Sequence, residues 1–425
     1  IKKVLEDVLL TNTNSLLKAY PHELSGGQKQ RIMIAIALLC KPKLLIADEP
    51  TTALDVTVQK EIIQLLKSLQ KKYQMSILFI SHDLALVKQL ADRVLVMHKG
   101  TIVESGNSST IFQNPRHPYT KGLLFARPEM NARLKRLPTI NDYQKGDFKI
   151  KYISKSTRKR RHEKIYAKKP ILEVIKLEKI YLKKSWYGKP KRFKALNPIS
   201  FSLYRGESLG LVGESGCGKS TLAKTLVFLD PATSGKILWM GNKINPINKI
   251  QIKELRNNIQ FIFQDPYASL HPQKTIGSTI EEVLYCNYSI NKDDNRLRML
   301  KLLKQVGLSQ ELIKRYPHEI SGGQCQRVAI ARALAVEPKV LICDESVAAL
   351  DISIQAQVLN LLNDLKEELG LSFIFISHNL AIVKYMSDRI MVMREGSLIE
   401  LQEADTLYIN PKNNYTRKLI QAIPN

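Results

Sequence analysis

With 425 residues, 44% of them hydrophobic, the chain is long enough for two or three cores of about 150 residues each and too apolar for a disordered polycation. Lys and Arg number 65 against 39 Asp and Glu, a formal net charge of +26, which points to an anionic partner: a nucleic acid, a nucleotide or a lipid surface. The five cysteines, Cys40, Cys217, Cys286, Cys325 and Cys343, include no C-x-x-C pair, which argues against a disulfide framework and a zinc site and fits a reducing compartment.

In chain order, Ile1 stands where an initiator Met is expected, and no apolar core follows a basic start. The expectation is therefore a chain without a secretory leader and already cut at its front. Ser25-Gly-Gly-Gln28 opens a long helical segment, Gln28 to Leu39. The longest apolar run, Ile32 to Cys40, is nine residues, against the about 20 that cross a bilayer, so a membrane role must be peripheral. Asp48-Glu49, Leu54-Asp55 and Ser81-His82 follow, then Asn114-Pro-Arg-His-Pro-Tyr-Thr-Lys-Gly-Leu-Leu124, a turn-plus-helix pattern. Residues 128–170 hold 14 Lys and Arg against 4 Asp and Glu, including Arg158-Lys-Arg-Arg161, and show little helical or strand periodicity. Residues 171–194 add a further +6, so most of the basicity is local.

Next, Glu207-Ser-Leu-Gly-Leu-Val212 reads as a strand, Gly213-Glu-Ser-Gly-Cys-Gly-Lys-Ser220 as a glycine loop, and Thr221-Leu-Ala-Lys-Thr-Leu-Val as a helix. Glycines at that spacing let backbone N–H groups wrap a polyphosphate at a helix N-terminus, with Lys219 reaching the β and γ phosphates and Ser220 ligating Mg²⁺. Phe261-Ile-Phe-Gln264 comes next. Val340-Leu-Ile-Cys-Asp344-Glu345 is a continuous apolar run, as a strand buried in a parallel sheet should be, and delivers two carboxylates. Ile374-Phe-Ile-Ser-His378 is a second such strand. Taken alone, a glycine turn, an acidic strand end and a strand-end histidine are each compatible with purely structural roles. Their order along one chain is what favours phosphoryl transfer to water, with Asp344 on the metal and Glu345 orienting or deprotonating the attacking water.

The chain also repeats itself. Tyr20-Pro-His-Glu-Leu-Ser-Gly-Gly-Gln-Lys-Gln-Arg31 recurs as Tyr316-Pro-His-Glu-Ile-Ser-Gly-Gly-Gln-Cys-Gln-Arg327, and the same offset of 296 carries Asp48-Glu49 to Asp344-Glu345 and His82 to His378. That spacing excludes a solenoid and leaves two copies of one large domain. Only the second copy contains the glycine loop; its counterpart in the first would fall about 80 residues before Ile1.

The ordered set in residues 171–425 resembles the nucleotide-binding domain of ATP-binding cassette (ABC) proteins. The fold this implies is α/β: P-loop NTPase cassettes with a mixed, mainly parallel sheet, flanking helices and a helical signature subdomain, one copy partial and one complete. By that resemblance Gly213, Glu214, Ser215, Gly216, Cys217, Gly218, Lys219, Ser220 and Thr221 form the Walker A loop, and Gln264 is the Q-loop glutamine. Ser321, Gly322, Gly323 and Gln324 are the signature, Asp344-Glu345 the Walker B end, Leu350-Asp351 the D-loop and His378 the switch histidine. Glu345, His378 and Gln264 are the expected catalytic residues, Ser220, Gln264 and Asp344 the Mg²⁺ ligands, and Tyr181 the adenine-stacking aromatic, with Trp186 and Tyr187 close by. Residues 1–127 match only the later part of a first cassette, without Walker A or Q-loop; residues 128–170 would be a basic linker and 171–425 the complete second cassette. In the family the signature closes over ATP held by a partner cassette, so Ser25, Gly26, Gly27 and Gln28 would complete the site of the second copy.

The terminal segments Asn114 to Leu124 and Asn410-Pro-Lys-Asn-Asn-Tyr-Thr-Arg-Lys-Leu419 resemble the extension of dipeptide and oligopeptide importer ATPases, as does Gln264-Asp-Pro-Tyr-Ala-Ser-Leu-His-Pro272. The implied protein binds ATP and Mg²⁺ and sits peripherally on the cytoplasmic face of the inner (plasma) membrane. It energises import of peptides or related solutes, with integral membrane permease subunits and an extracytoplasmic solute-binding protein as partners, dimerisation of cassettes, and no nucleic acid. Two rivals stand beside it: a two-cassette ATPase acting on the ribosome, whose Arg158–Arg161 run would contact RNA phosphates, and an inactive remnant. Two departures bear on turnover. Ser346 stands where the first copy has Pro50, restoring a backbone donor beside Glu345, and Asn379 stands where the first copy has Asp83.

Overall fold

The computed structural model describes the chain except residues 12, 52, 53, 127, 129–132, 146–149, 184–190, 289, 290, 349 and 423–425. It forms two compact units: residues 1–126, 139–148 and 418–425, and residues 127–138 and 149–417.

In the first unit β1 (Leu44–Asp48) and β2 (Ser76–Ile80) pair in parallel, and β3 (Arg93–His98) and β4 (Thr101–Asn107) form an antiparallel hairpin. Between β1 and β2 runs the helix Val56–Tyr73, capped by the Asp55 carboxylate on the Val58 amide and closed by Gln74 in the left-handed region. Its apolar face meets the helix Gly26–Leu38 and β1 through Leu38, Leu45, Ile62, Leu66 and Leu69.

The second unit contains a four-stranded antiparallel sheet, β6-β5-β8-β9, of β5 (Pro170–Lys183), β6 (Lys191–Tyr204), β8 (Ser234–Trp239) and β9 (Asn242–Lys243). Beside it stands a six-stranded sheet in the order β10-β11-β12-β7-β13-β14, built from β7 (Ser208–Val212), β10 (Ile259–Ile262), β11 (Val340–Asp344), β12 (Ser372–Ile376), β13 (Arg389–Arg394) and β14 (Ser397–Glu403). Five of its strands are parallel and β14 runs antiparallel at the edge. β7, β11 and β12 are buried along their whole length, which is why their sequences are continuous apolar runs rather than alternating ones. One core joins the sheets through Leu172, Leu196, Leu209, Leu211, Trp239, Ile342 and Met391.

The repeat is exact at the level of register. Leu44 pairs with Ser76 as Val340 pairs with Ser372, and both hairpins slip at the same place, after Val96 and after Val392. What differs is cover. Leu44, Ile46, Leu78, Ile80, Leu95 and Met97 are 45–61% exposed, whereas their counterparts Val340, Ile342, Ile374, Ile376, Met391 and Met393 are at most 1% exposed. In the second unit β7 lies between β12 and β13, and its Leu209 and Leu211, with Leu222 and Leu226 of the helix that follows it, close that face.

The basic stretch departs from the aperiodic linker expected of it. Residues Lys155–Tyr166 form a helix whose N-terminal amide is capped by Ser154, and Leu134 bridges to Tyr152. No apolar stripe announces this helix, because its inward face is held by Ile165 and by Arg158, a charged residue seated among carboxylates.

Candidate functional site

The site begins where β7 ends. Gly213 has φ 152°, and a Cβ there would stand 2.2 Å from the Met393 carbonyl oxygen; Gly218 has φ 104°, with the Ala195 carbonyl at 2.8 Å. Only glycine fits both conditions, so the loop is tucked against β6 and β13 before it enters the helix Lys219–Leu226. Lys219 is buried; its ammonium donates to the carbonyls of Gly213 at 2.7 Å and Glu214 at 2.9 Å, which holds the side chain along the loop it closes.

One residue on, the Ser220 hydroxyl donates to Asp344 Oδ1 at 3.2 Å, joining the phosphate loop to the end of β11. Burial pushes the Asp344 carboxyl above its ordinary range, and the neighbouring Glu345 adds to the effect. A buried carboxylate and a hydroxyl, both hard oxygen donors, are a donor set that suits Mg²⁺. Glu345 adopts φ 48°, a left-handed conformation costing a non-glycine residue about 1–2 kcal/mol. Its amide donates to Ile376 O at 2.9 Å. Gln264 Nε2 donates to Glu345 Oε2 at 2.7 Å, and His378 Nδ1 lies 3.6 Å from Oε1. His378 holds the Glu345 carboxyl below its ordinary range against the opposing pull of burial. Glu345 thus contacts both Gln264 and His378, the residues expected from sequence to act with it, and Ser220 contacts Asp344.

The first unit repeats half of this arrangement: Glu49 has φ 44°, donates its amide to Ile80 O at 2.9 Å and lies 3.0 Å from His82 Nδ1. The left-handed conformation is thus kept at the same carboxylate in both copies.

Tyr181 donates its hydroxyl to Asp230, which also pairs with Lys179, and the Lys179 ammonium stands 5.0 Å from the Tyr181 ring centre. The Tyr181 side chain also hydrogen-bonds Thr221 at the end of the phosphate loop. Trp186 and Tyr187 lie outside the described residues.

Both Ser-Gly-Gly-Gln segments are helix starts. Ser25 and Ser321 cap the helices Gly26–Leu38 and Gly322–Leu334, each accepting the amide of Gln28 or Gln324 at 3.3 Å while the glutamine side chain takes the serine amide at 3.0 Å. A Cβ on Gly323 would lie 2.4 Å from Ile354, so that glycine lets the helix approach its neighbour. Within the second unit the Q-loop is wired to this motif: Tyr267, three residues after Gln264, donates to Ile320 O at 3.1 Å, and Arg332 donates to Ser269 O. Sequence reasoning does not foresee that link. A groove of about 510 Å³ opens beside it, lined by Phe261, Phe263, His271, Val283 and Arg332 among others.

Of the two departures, Asn379 does what Asp83 does: each caps the helix that follows, Asn379 by accepting from Ala381 and Ile382 and Asp83 from Ala85. Ser346 is buried, its side chain against the Cys343 thiol.

The C-terminal extension also reaches the site. Tyr415 Oη accepts the Glu214 amide at 3.2 Å, with its ring 5.1 Å from the Arg394 guanidinium. In the first unit the equivalent Tyr119 stacks on His98 at 4.1 Å. The turn before each tyrosine is tied by a carboxylate: Glu400 accepts from Lys412 and Asn413, and Glu104 from Arg116 and His117. The 296-residue offset between these pairs was a usable sequence signal for their shared role.

No helix among the described residues is long and apolar enough to cross a membrane. A family model described as "ABC transporter" matches residues 1–52 and 196–348, and one described as "Oligopeptide/dipeptide transporter, C-terminal region" matches residues 103–149 and 399–425. The chain is 44% identical over 430 residues to the glutathione import ATP-binding protein GsiA of Escherichia coli strain K12 and to that of Shigella sonnei strain Ss046, covering 100% of this chain and 68% of each relative. Among solved structures it is similar to cbiO1 from Clostridium perfringens, part of the ABC transporter complex cbiONQ (TM-score 0.50, 31% identity, 57% of this chain and 92% of that one). It is also similar to the ATP-binding cassette MJ0796, solved as a dimer in a post-hydrolysis state with ADP and Pi (TM-score 0.50, 28% identity, 55% of this chain and 98% of that one).

Proposed function

The chain belongs to the ABC transporter family as an ATP-binding protein that hydrolyses ATP to energise solute import through membrane permease subunits, and on that premise we propose how its second unit works. Residues 171–425 act as a complete cassette and residues 1–127 as the later part of another, joined by residues 128–170. ATP lies along Gly213–Thr221, with Lys219 against its outer phosphates and Tyr181 against adenine. Ser220 and Asp344, assisted by Gln264, hold Mg²⁺, which supplies charge neutralisation of the β and γ phosphates. Glu345 orients and deprotonates the attacking water while His378 and Gln264 fix its carboxylate. Ser25–Gln28 and Ser321–Gln324 each present a capped helix start suited to the γ-phosphate of nucleotide held by another cassette.

The observation that carries this reading is the 3.2 Å contact between Ser220 and Asp344, with Glu345 bonded to Gln264 and next to His378. The groove beside Gln264 is the proposed seat of the permease, because Arg332 of the signature helix and Ser269 both line it and are bonded to each other, while Tyr267 next to it donates to Ile320 O. The cargo is a peptide-like solute of the kind named for the relatives, delivered by an extracytoplasmic binding protein, and the chain works on the cytoplasmic face of the plasma membrane. The ribosome reading finds no support: the relatives are import ATP-binding proteins, and Arg158, the first residue of the run that would contact RNA, is buried against the protein's own carboxylates.

The test is a pair of variants assayed for nucleotide binding and hydrolysis. Lys219→Ala should abolish binding, and Glu345→Gln should bind ATP without turning it over. A Lys219→Ala protein that hydrolyses ATP at the unmodified rate sinks the assignment.

A further inference from the structure

We infer that the basic stretch between the two copies is a strut on the helix that follows His378, with Arg133 and Arg158 as positioning residues for ATP hydrolysis. The inference rests on the reading of His378 given above.

The helix Leu380–Met386 starts two residues after His378, with Asn379 capping its first amides. Its seven residues span about 10 Å, so whatever holds its far end also holds the histidine. That end exposes carbonyls with no partner inside the helix. Arg133 donates to Lys384 O at 2.5 Å, Tyr385 O at 3.4 Å and Ser387 O at 3.0 Å. Arg158, on the helix Lys155–Tyr166, donates to Ser387 O and Asp388 O, each at 3.2 Å. Guanidinium groups at a helix C-terminus satisfy the orphan carbonyls and complement the dipole together. Behind them stand two carboxylates: Glu403 lies 2.6 Å from Arg158, and Asp405 pairs with Arg158 and lies 3.5 Å from Arg133. Asn360 ties the strut down further along, accepting from Leu137 N at 2.9 Å and donating to Leu137 O at 2.8 Å.

The helix has no slack on its other side. A Cβ on Gly210 would lie 2.4 Å from Val383 and 2.5 Å from Ser387 Oγ, so the helix is pressed against β7, the strand that feeds the phosphate loop. Movement at the strut must therefore appear as tilt at the His378 end.

The two copies provide an internal comparison. At the fixed offset, Glu403 and Asp405 correspond to Asn107 and Ser109, and Asn360 to Gln64. The first copy lacks the carboxylates that receive the strut. They occur in the copy that contains the phosphate loop.

The experiment compares Arg133→Ala, Arg133→Lys, His378→Ala and the double variant Glu403→Asn with Asp405→Ser, which installs the first copy's residues at those two places, with thermal melting of each protein to verify folding. Each full-length protein is assayed for ATP turnover per nucleotide-binding molecule and for deuterium uptake in the peptide spanning residues 378–388. Arg133→Ala and the double variant should lower kcat by about fivefold with KM for ATP within about twofold, and both should raise deuterium uptake. Lysine at 133 should restore part of the rate, since it supplies the charge without the fork. Unchanged kcat and uptake in both Arg133→Ala and the double variant would overturn the strut, as would a loss of rate that disappears once turnover is counted per binding-competent molecule. An unaffected His378→Ala protein would instead remove the reading of His378, and the catalytic role of the strut with it.

Discussion

Gly213→Ala offers the most direct test of how the phosphate loop is held. The added methyl would stand 2.2 Å from Met393 O and 2.7 Å from Cys217 Sγ, so the loop or the β13–β14 hairpin must move by about 1 Å to reach ordinary contact. Overpacking of that kind costs about 1–3 kcal/mol, and φ 152° is a conformation that alanine resists. The loop is the softer party, because Met393 belongs to a fully buried stretch of β13. The strain should therefore emerge as lost nucleotide affinity: about 3 kcal/mol is a Kd weaker by about a hundredfold. Gly216→Ala is the matched control, with φ 76° and nothing within 4 Å of the new methyl. It should lose only the left-handed preference, about 1 kcal/mol or fivefold in Kd. Titration with a fluorescent ATP analogue, alongside thermal melting to verify folding, measures both. Equal losses in the two variants, or unmodified affinity in Gly213→Ala, would refute the steric reasoning.

Two further outcomes follow from the repeat. Ile342→Ala, at a fully buried position, should destabilise the second unit by about 2–5 kcal/mol, while Ile46→Ala, 61% exposed at the equivalent place, should change the first by less than about 0.5 kcal/mol; denaturant titration of each variant measures this, and equal costs would contradict the difference in cover. Tyr415→Phe keeps the ring beside Arg394 but removes the acceptor of the Glu214 amide, a loss of about 1 kcal/mol that should weaken ATP binding about fivefold. Tyr119→Phe should leave ATP affinity unchanged, and an equal effect from both tyrosines would show that the loop contact is immaterial.

The local geometry of the candidate site was largely legible in the sequence because its parts leave strong local marks. Glycines are needed where φ is positive and a carbonyl is close, as at Gly213 and Gly218, and β11 and β12 are unbroken apolar runs because both their faces are covered. The start of the signature helix was visible for a related reason: Ser321 and Gln324 cap each other, a local pattern. What escaped depends on pairs far apart in the chain. Tyr415 and Glu214 are 201 residues apart and Arg158 and Asp405 are 247 apart, and neither partner carries a local signal of the other. The helix Lys155–Tyr166 escaped for a second reason: hydrophobic periodicity cannot detect a buried face whose anchor is an arginine. Charge counting could not single out Arg133 and Arg158 there, since an arginine paired with an internal carboxylate counts the same as an exposed one.

The carboxylates that receive Arg133 and Arg158 also constrain how this protein can evolve. An exchange of sequence between the two copies meets a limit at these positions. At codons 403 and 405 it would write Asn and Ser opposite two largely desolvated guanidinium groups and remove both of their carboxylate partners. The two carboxylates thus tie the order of the copies to the segment between them, and exchanging the copies in the gene would strand the arginines without these partners.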